Sequence, residues 1–444
     1  MHVGDKNRTI YLPMELLRLK RQVCPQSKIL GDVATSAMIK VTAVRPDERQ
    51  KNIKKNLKDR QPGLKNGHAK AFGISVQDNF EEIDGRILDA PDLAYDNNSI
   101  VPSKTINGKW DASRHKYKFS KAVPLQRWAV LDLCNLPSKT MELETFCNEI
   151  VKEAKKMGMD ASNPLIKQVA RNENEEKVFE DLCDKQPSII VVIQWDKSSD
   201  ARTRLKRIGD TVKKVPTSFV LKKNVSFRNG PPSPATIHNI VLKLNSKLGG
   251  QNQVLAPPSK KYLAPVFTEP VMFVGADVTH PAPDQMGLKP SIAAVVSSFD
   301  PAVSLYNVQI RVQYEKDNKN VVEQIMDMEN VMRQLLREFK EKSKGHQPKR
   351  IIFYRDGVSE GQFQMVLNKE IAAMQRACKK LNPNYEPGIT YFVAQKRHST
   401  RFFPKPKDRN QLRNGNILPG KSILTRLKIL FCAVQDREFG FTTE

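Results

Sequence analysis

Short apolar runs alternate with helical periodicities along most of this chain. Trp128-Ala129-Val130-Leu131-Asp132-Leu133 and Ser188-Ile189-Ile190-Val191-Val192-Ile193 have the composition of strands buried on both faces. Between them Phe146, Ile150, Ala154 and Met157 fall on one face of a helix. This β-α-β order predicts a parallel sheet with helices packed on it. Further on, Ser233 as N-cap, Pro234 at the first helical position and Gly249 past the end predict another helix. A second alternating unit begins with the strand that ends at Asp277. Ser291 to Val296 and Leu305 to Val312 read as further strands. Val321, Ile325, Met328, Met332, Leu335 and Phe339 then recur at helical spacing. A strand ending at Asp356 follows, then a helix with Val366, Leu367, Met374 and Cys378 inward, then a strand near Ile389 to Val393. Three meander-like strands, then helix, strand, helix and strand, is the order of an RNase H-like fold.

The front of the chain is patterned differently. A basic helix is expected from Pro46 to Arg60, stopped by Pro62-Gly63, with Asp47 and Glu48 at its start and lysines later. It serves either as a solvated surface helix or as the lining of a nucleic-acid channel. Residues 64–124 read as an irregular, strand-rich connector. A proline-containing stretch at 256–270 marks a domain boundary.

Composition narrows the partners. The 444 residues carry a net charge of +25, which points to a polyanion, nucleic acid before anionic membrane. No long uncharged apolar stretch is present to span a bilayer, and Met1 to Lys6 lacks the apolar core of a signal peptide. The six cysteines are scattered with no Cys-x-x-Cys pair, so neither a zinc site nor a disulfide framework is indicated.

Candidate chemistry sits at strand and helix ends. Asp277 and Asp356 each close an apolar run, at the rim of a sheet where function collects. Two such carboxylates suit a shared Mg²⁺, a hard cation that keeps positions open for phosphate. Lys243 and Lys247 are one helical turn apart, so both ammonium groups can meet one phosphate, while Ile237, Val241, Leu244 and Leu248 occupy another stripe. The plain alternative is a solvated basic face.

Several stretches resemble the Argonaute family. Gly275-Ala276-Asp277-Val278-Thr279-His280-Pro281 and Tyr354-Arg355-Asp356-Gly357-Val358-Ser359-Glu360-Gly361-Gln362-Phe363 are similar to two signature stretches of the eukaryotic PIWI domain. Lys289 to Val296 and Gln395 to Phe403 resemble two more. Lys206 to Val212 and Leu242 to Gly250 resemble the preceding MID domain, Ser36 to Lys40 the start of the second linker, and Tyr11 to Leu16 the end of a PAZ domain. The resemblance implies an α/β chain: a PAZ C-terminal remnant at 1–35, a strand-rich linker 2 at 36–124, a Rossmann-like MID domain at 125–262, and an incomplete RNase H-like PIWI domain at 263–444 that diverges from about residue 421.

By that resemblance the chain is a small-RNA-guided protein of RNA silencing, with a small guide RNA, target RNA and silencing proteins as partners. It is expected as a monomer off the membrane, in the cytoplasm and also the nucleus. The guide 5′ phosphate falls to Lys206, Lys243 and Lys247. Arg202 stands where the family has a base-stacking tyrosine, and Ser218 where it has a glutamine. Slicing would use Asp277, Asp356 and Glu323, with Glu315 as the alternative to Glu323, and Mg²⁺ or Mn²⁺ held by Asp277 and Asp356. The family's fourth ligand, a downstream histidine or aspartate, has no counterpart in the sequence, which leaves an incomplete tetrad. His280 reads as a structural turn histidine. Arg355 is placed either to orient Asp356 or to contact a phosphate. Lys396, Arg397 and Arg401 are expected along the nucleic-acid backbone.

Overall fold

The computed structural model describes residues 2–3, 10–11 and most of 32–422, the longest stretches outside it being 12–31, 102–116 and 423–444. Its described parts form two compact units, one of Met1–Asp84 with Arg401–Leu418, the other of Gly85–Thr400 with Pro419–Glu444.

The first unit is mainly helical. Strands β1 (His2–Val3) and β2 (Ile10–Tyr11) pair antiparallel, and helices α1 (Asp32–Thr42), α2 (Pro46–Leu64) and α3 (Gly67–Ala71) follow. Helix α2 runs past the expected stop at Pro62-Gly63 to Leu64. A proline in the last turn forfeits a single backbone bond, which the end of a helix tolerates better than its middle. Lys54 lies 5.4 Å over the Phe80 ring, and Phe80 packs on Phe403.

The second unit begins with three two-residue strands, β3 (Arg86–Ile87), β4 (Leu93–Ala94) and β5 (Ile100–Val101). The strands of the expected connector are therefore minimal, and residues 32–42, 46–64 and 67–71 ahead of them are helical. The β-α-β pattern then appears as β6 (Trp128–Asp132), α4 (Glu142–Lys156), β7 (Leu165–Gln168), α5 (Glu175–Asp184), β8 (Ile189–Gln194), α6 (Asp200–Arg207), β9 (Thr217–Leu221) and α7 (Pro234–Lys247). All four strands are parallel, in the order β7-β6-β8-β9. Every residue of β6 and β8 is buried, as their unbroken apolar runs require. One face packs on α4 and α7 through Phe146, Ile150, Val241 and Leu244, the other on α5 and α6 through Phe179, Leu182 and Leu205. Ser233 caps α7 by accepting from the Thr236 N–H at 3.2 Å. A π-helical turn, Ile208–Lys213, joins α6 to β9.

Past β10 (Val254–Leu255) and α8 (Ala264–Phe267), a second sheet has the order β13-β12-β11-β14-β15. Strands β11 (Val271–Thr279), β12 (Ser291–Ser298) and β13 (Tyr306–Gln313) form an antiparallel meander. Strands β14 (Arg350–Asp356) and β15 (Gly388–Ala394) add parallel to β11, through crossover helices α9 (Met328–Lys342) and α10 (Phe363–Leu381). This is the RNase H-like order expected. Both helices cover one face, burying Met272, Val274, Phe353, Leu335 and Met374. The expected periodicity from Val321 overshoots the helix. Ile325 is fully buried but precedes α9, because its N–H is bonded at 2.9 Å to the Glu370 carboxylate rather than to a helical carbonyl. Val321 lies outside the described residues. A last short strand, β16 (Lys421–Ser422), pairs with β3.

No helix among the described residues is long and apolar enough to cross a membrane. Cys134, Cys147, Cys183 and Cys378 are free and buried. Burial raises the thiols of Cys134, Cys147 and Cys378 to about 12, where they are poor nucleophiles.

Candidate functional site

Two constellations emerge, one on each of the two largest sheets of the second unit. On the five-stranded sheet, Ala276 of β11 stands beside Arg355 of β14 in parallel register. Asp277 and Asp356 occupy the next step on the same two strands. Neighbouring strands are about 4.8 Å apart, and alternate residues share a face. Ala276 and Arg355 are buried toward the helices, so the two carboxylates share the opposite face, Asp277 exposed and Asp356 half-buried. Gly357 follows with φ +85°, and a methyl group added there would meet Asp277 Oδ1 at 3.3 Å. The chain therefore turns away beneath the Asp277 carboxylate, which a glycine permits.

Glu323 takes a different place. Its Oε1 lies 2.8 Å from Arg355 Nη2, and its Oε2 lies 2.8 Å from His280 Nε2. Arg355 is fully buried, which removes the expectation of a phosphate contact. Its Nη1 donates to the Asp356 carbonyl at 2.6 Å, Nη2 also donates to the Glu323 carbonyl, and Nε lies 3.6 Å from Glu370 Oε2. Glu370 is wholly buried and accepts from the Tyr391 hydroxyl at 2.6 Å as well as from Ile325 N–H. Burial pushes its carboxyl above the ordinary range, and the charge of Arg355 pulls part of that back. His280 completes the network through Ser291 Oγ at 3.0 Å, which agrees with its reading as a structural histidine. Arg355 thus braces the Asp356 strand end against the segment carrying Glu323. Glu315 lies outside the described residues.

The two aspartates offer hard oxygen donors of the kind Mg²⁺ or Mn²⁺ takes. As a pair they fill part of such a shell and leave the rest to water or phosphate. Among the described residues, no group of three or more His, Cys, Asp and Glu is spaced to hold a metal.

The second constellation surrounds β9, an edge strand of the parallel sheet. Helix α6 lies on one face and α7 on the other, so their basic residues meet over the free edge. Lys247 Nζ donates to the Thr217 carbonyl, Lys206 Nζ stands 3.9 Å from Asp210, and the Arg202 guanidinium sits 5.4 Å over the Phe219 ring. Partial burial lowers the ammonium pKa of Lys243 and Lys247, and the charges of Arg202 and Lys206 push both further down. All four cations placed from sequence are therefore close enough to feel one another. Ile237, Val241 and Leu244 are buried in the core, as their stripe predicted. Ser218 is buried, and its hydroxyl has no hydrogen-bond partner among the described residues. A lysine guarding a sheet edge is a common structural device; four cations with one nearby acid exceed what an edge requires.

Of the remaining sequence-predicted residues, Lys396 and Arg397 lie outside the described residues. Arg401 is exposed and belongs to the first unit. The sequence reading missed the structural part of Glu370 and Tyr391. Their only signal was polarity on otherwise apolar inward stripes.

Comparison with known proteins matches both regions. A Piwi domain family model matches residues 188–431, more than half of the chain, and an Argonaute linker 2 domain model matches residues 48–95. The fold resembles that of Kluyveromyces polysporus Argonaute with a guide RNA, at 22% identity and a TM-score of 0.72, over 91% of this chain and 46% of that one. The C-terminal lobe of a budding yeast Argonaute matches at 23% identity and 0.62, over 75% of this chain and 70% of that one. Drosophila Piwi matches at 20% identity and 0.61, over 88% of this chain and 54% of that one. The chain thus spans less than half the length of the Kluyveromyces protein. With the Piwi match spanning both the lysine cluster and the paired aspartates, the chain belongs to the Piwi domain family.

Proposed function

We propose that this chain is the guide-holding and target-presenting part of a small-RNA-guided silencing protein. Lys206, Lys243, Lys247 and Arg202 hold the 5′ phosphate of a small guide RNA, and the guide–target duplex lies toward the face that carries Asp277 and Asp356. The observation that carries this reading is the convergence of four cations on the β9 edge, where burial and then neighbouring cations hold Lys243 and Lys247 below the ordinary lysine pKa. A cluster of four cations with one nearby acid stabilises an anion that bridges it. The guide's bases, not the protein, would then read the target sequence. Silencing proteins would be recruited as partners.

Asp277 and Asp356 would hold Mg²⁺ or Mn²⁺, which when bound supplies Lewis-acid stabilisation to a phosphodiester. Arg355 and His280 orient Glu323, and Arg355 fixes the strand end that presents Asp356. Two adjacent acids favour endoribonuclease chemistry as a second reading. Binding without cleavage remains the first reading, because Glu323 is engaged by Arg355 and His280.

The test is binding of a 5′-phosphorylated RNA, compared with its 5′-hydroxyl twin, over a salt series. Wild type is expected to prefer the phosphorylated RNA, and Lys243→Ala/Lys247→Ala to lose that preference. The salt slope should fall by about 0.7 for each phosphate contact removed. An unchanged preference in the double variant would refute the site.

A further inference from the structure

The end of α7 is strapped down on the side away from its lysines. Asn245 lies two positions from both Lys243 and Lys247, which at 3.6 residues per turn puts it on the opposite side of the helix. It is fully buried. Its Oδ1 accepts from the Val123 N–H at 3.0 Å, and its Nδ2 donates to the Lys121 carbonyl at 3.2 Å and to Asn252 Oδ1 at 3.0 Å. Asn252 returns to the helix by donating to the Leu242 carbonyl at 3.0 Å. A methyl group added at Gly250 would collide with the Asn245 side chain, so the chain leaving α7 passes directly against it. Gln251 then exchanges backbone hydrogen bonds with Lys121, both at 2.9 Å. The helix end and the residues after it therefore form one fixed block.

That block reaches the five-stranded sheet through Gln251, whose Nε2 donates to Asp300 Oδ2 at 3.0 Å. Asp300 closes the turn between β12 and β13. Its carboxylate accepts from the Ala302 N–H at 3.2 Å, the Ser304 N–H at 2.8 Å, the Ser304 hydroxyl at 3.0 Å and the Leu305 N–H at 2.7 Å. The turn needs that closure, because Val303 is a β-branched residue at φ +55°. Strained backbone of this kind persists only where its surroundings over-determine it. Asp277 pairs with Ala294, four residues before Ser298 at the end of β12. The turn therefore begins about 13 Å along the sheet from Asp277, at ~3.3 Å per residue. Gln251 itself sits in neither constellation, yet it joins the elements that carry them.

We infer that Gln251 is a positioning residue: through Asp300 it couples occupancy of the α7 phosphate cluster to the strained β12–β13 turn, and so to the sheet that presents the paired aspartates. The inference rests on the proposed 5′-phosphate site for its ligand alone; the coupling is a property of the free chain. An anion bridging Lys243 and Lys247 makes opening of the α7 end less favourable, since opening breaks its contacts. While the α7 end stays closed, Gln251 holds Asp300, and the turn relaxes only by losing that bond. Coupling between two sites is reciprocal, so loosening the turn must also loosen the α7 end.

The experiment is hydrogen exchange of the full chain, free, with a 5′-phosphorylated dinucleotide, and with its 5′-hydroxyl twin. The probes are the Ser304 and Leu305 amides, which donate to Asp300, and the Gly250 amide, which donates to the Asn245 carbonyl at 2.9 Å. In the free chain Gln251→Leu should speed exchange at Ser304 and Leu305 about tenfold, the scale of one lost hydrogen bond to a charged group, and Asp300→Asn should speed Gly250. At ten times its Kd the phosphorylated dinucleotide should slow Ser304 and Leu305 by up to about tenfold in wild type, and the hydroxyl twin should not. Gln251→Leu should abolish this remote slowing yet keep the dinucleotide affinity, because the open state is too rare to reduce binding. Gln251→Lys puts a donor back beside Asp300 and should restore the slowing, which side-chain bulk alone would not do. Gln251 is half-buried, so these variants are expected to fold. Phosphate-dependent binding without remote slowing in wild type overturns the inference, as does slowing that persists in Gln251→Leu or that Gln251→Lys fails to restore. If wild type shows no phosphate preference, the proposed 5′ site fails and the free-chain exchange decides. Faster exchange across the bond from each substitution then upholds the coupling, and changes confined to the substituted side overturn it.

Discussion

Replacing Arg355 by methionine tests the brace beneath the acid pair. The guanidinium is fully buried and sits 2.8 Å from Glu323, 2.6 Å from the Asp356 carbonyl and 3.6 Å from Glu370. Methionine fills most of the stem volume but supplies no charge. Glu370, itself fully buried, then loses its cation and, among the described residues, keeps the Ile325 N–H and the Tyr391 hydroxyl. Among the described residues, Glu323 keeps His280 as its side-chain partner. Breaking a buried pair from one side costs about 3–5 kcal/mol. The two donors left on Glu370 place the expected loss near the lower bound, at ~3 kcal/mol. Arg355→Met/Glu370→Gln removes the stranded charge and should recover about half of that. Native-state hydrogen exchange of the Ile351 to Arg355 amides reads the stability of this sheet directly, without requiring a single unfolding step for the whole chain. A loss below ~1 kcal/mol, or a double variant no better than the single, would refute the brace.

Three further outcomes follow from the same geometry. Burial raises the Glu370 carboxyl above its usual 4.5, so the folded state holds its proton to higher pH than the unfolded chain. Its contribution is full below the unfolded value and is lost as pH rises through the folded one; Glu370→Gln should flatten that acid-side slope in a series of thermal melts. Lys243 and Lys247 are shifted below 10.5, chiefly by burial and then by nearby cations. The unfolded chain binds more protons there, so apo stability should rise as pH climbs through the folded values, while affinity for 5′-phosphorylated RNA falls over the same range, measured by anisotropy between pH 7 and 10.5. Gly357→Ala forces a side chain into φ +85° and to 3.3 Å from Asp277 Oδ1. It should cost about 1–2 kcal/mol by hydrogen exchange of β14 and weaken Mn²⁺ binding in isothermal titration.

Sequence legibility follows solvent contact. Strands β6 and β8 were plain because both faces of each are buried, so the apolar run is unbroken. Strand β7 gave no such signal, since it is an edge whose residues alternate between exposed and half-buried. Strand β9, with Thr217 and Ser218 among its five residues, was equally quiet. On β13 the outward positions Val308, Ile310 and Val312 are exposed, while inward Arg311 bonds Asp327 at 2.7 Å, so alternation there identified a strand but not its buried face. The start of α9 was misplaced because Ile325 is buried without being helical: periodicity detects burial, and only the hydrogen bond to Glu370 distinguishes the two.

By itself the sequence determined the two alternating α/β units, the strand-end position of Asp356 and the one-turn spacing of Lys243 and Lys247, whereas the strand expected to end at Asp277 runs two residues further, to Thr279. Each of these is a local consequence of backbone period and of which residues avoid water. The tertiary structure alone decided that the aspartates stand side by side and that α6 joins α7 over the edge of β9. It also decided that Arg355 turns inward to hold Glu323. Those pairings join residues up to dozens of positions apart, and only the parallel register of the sheets brings them within reach.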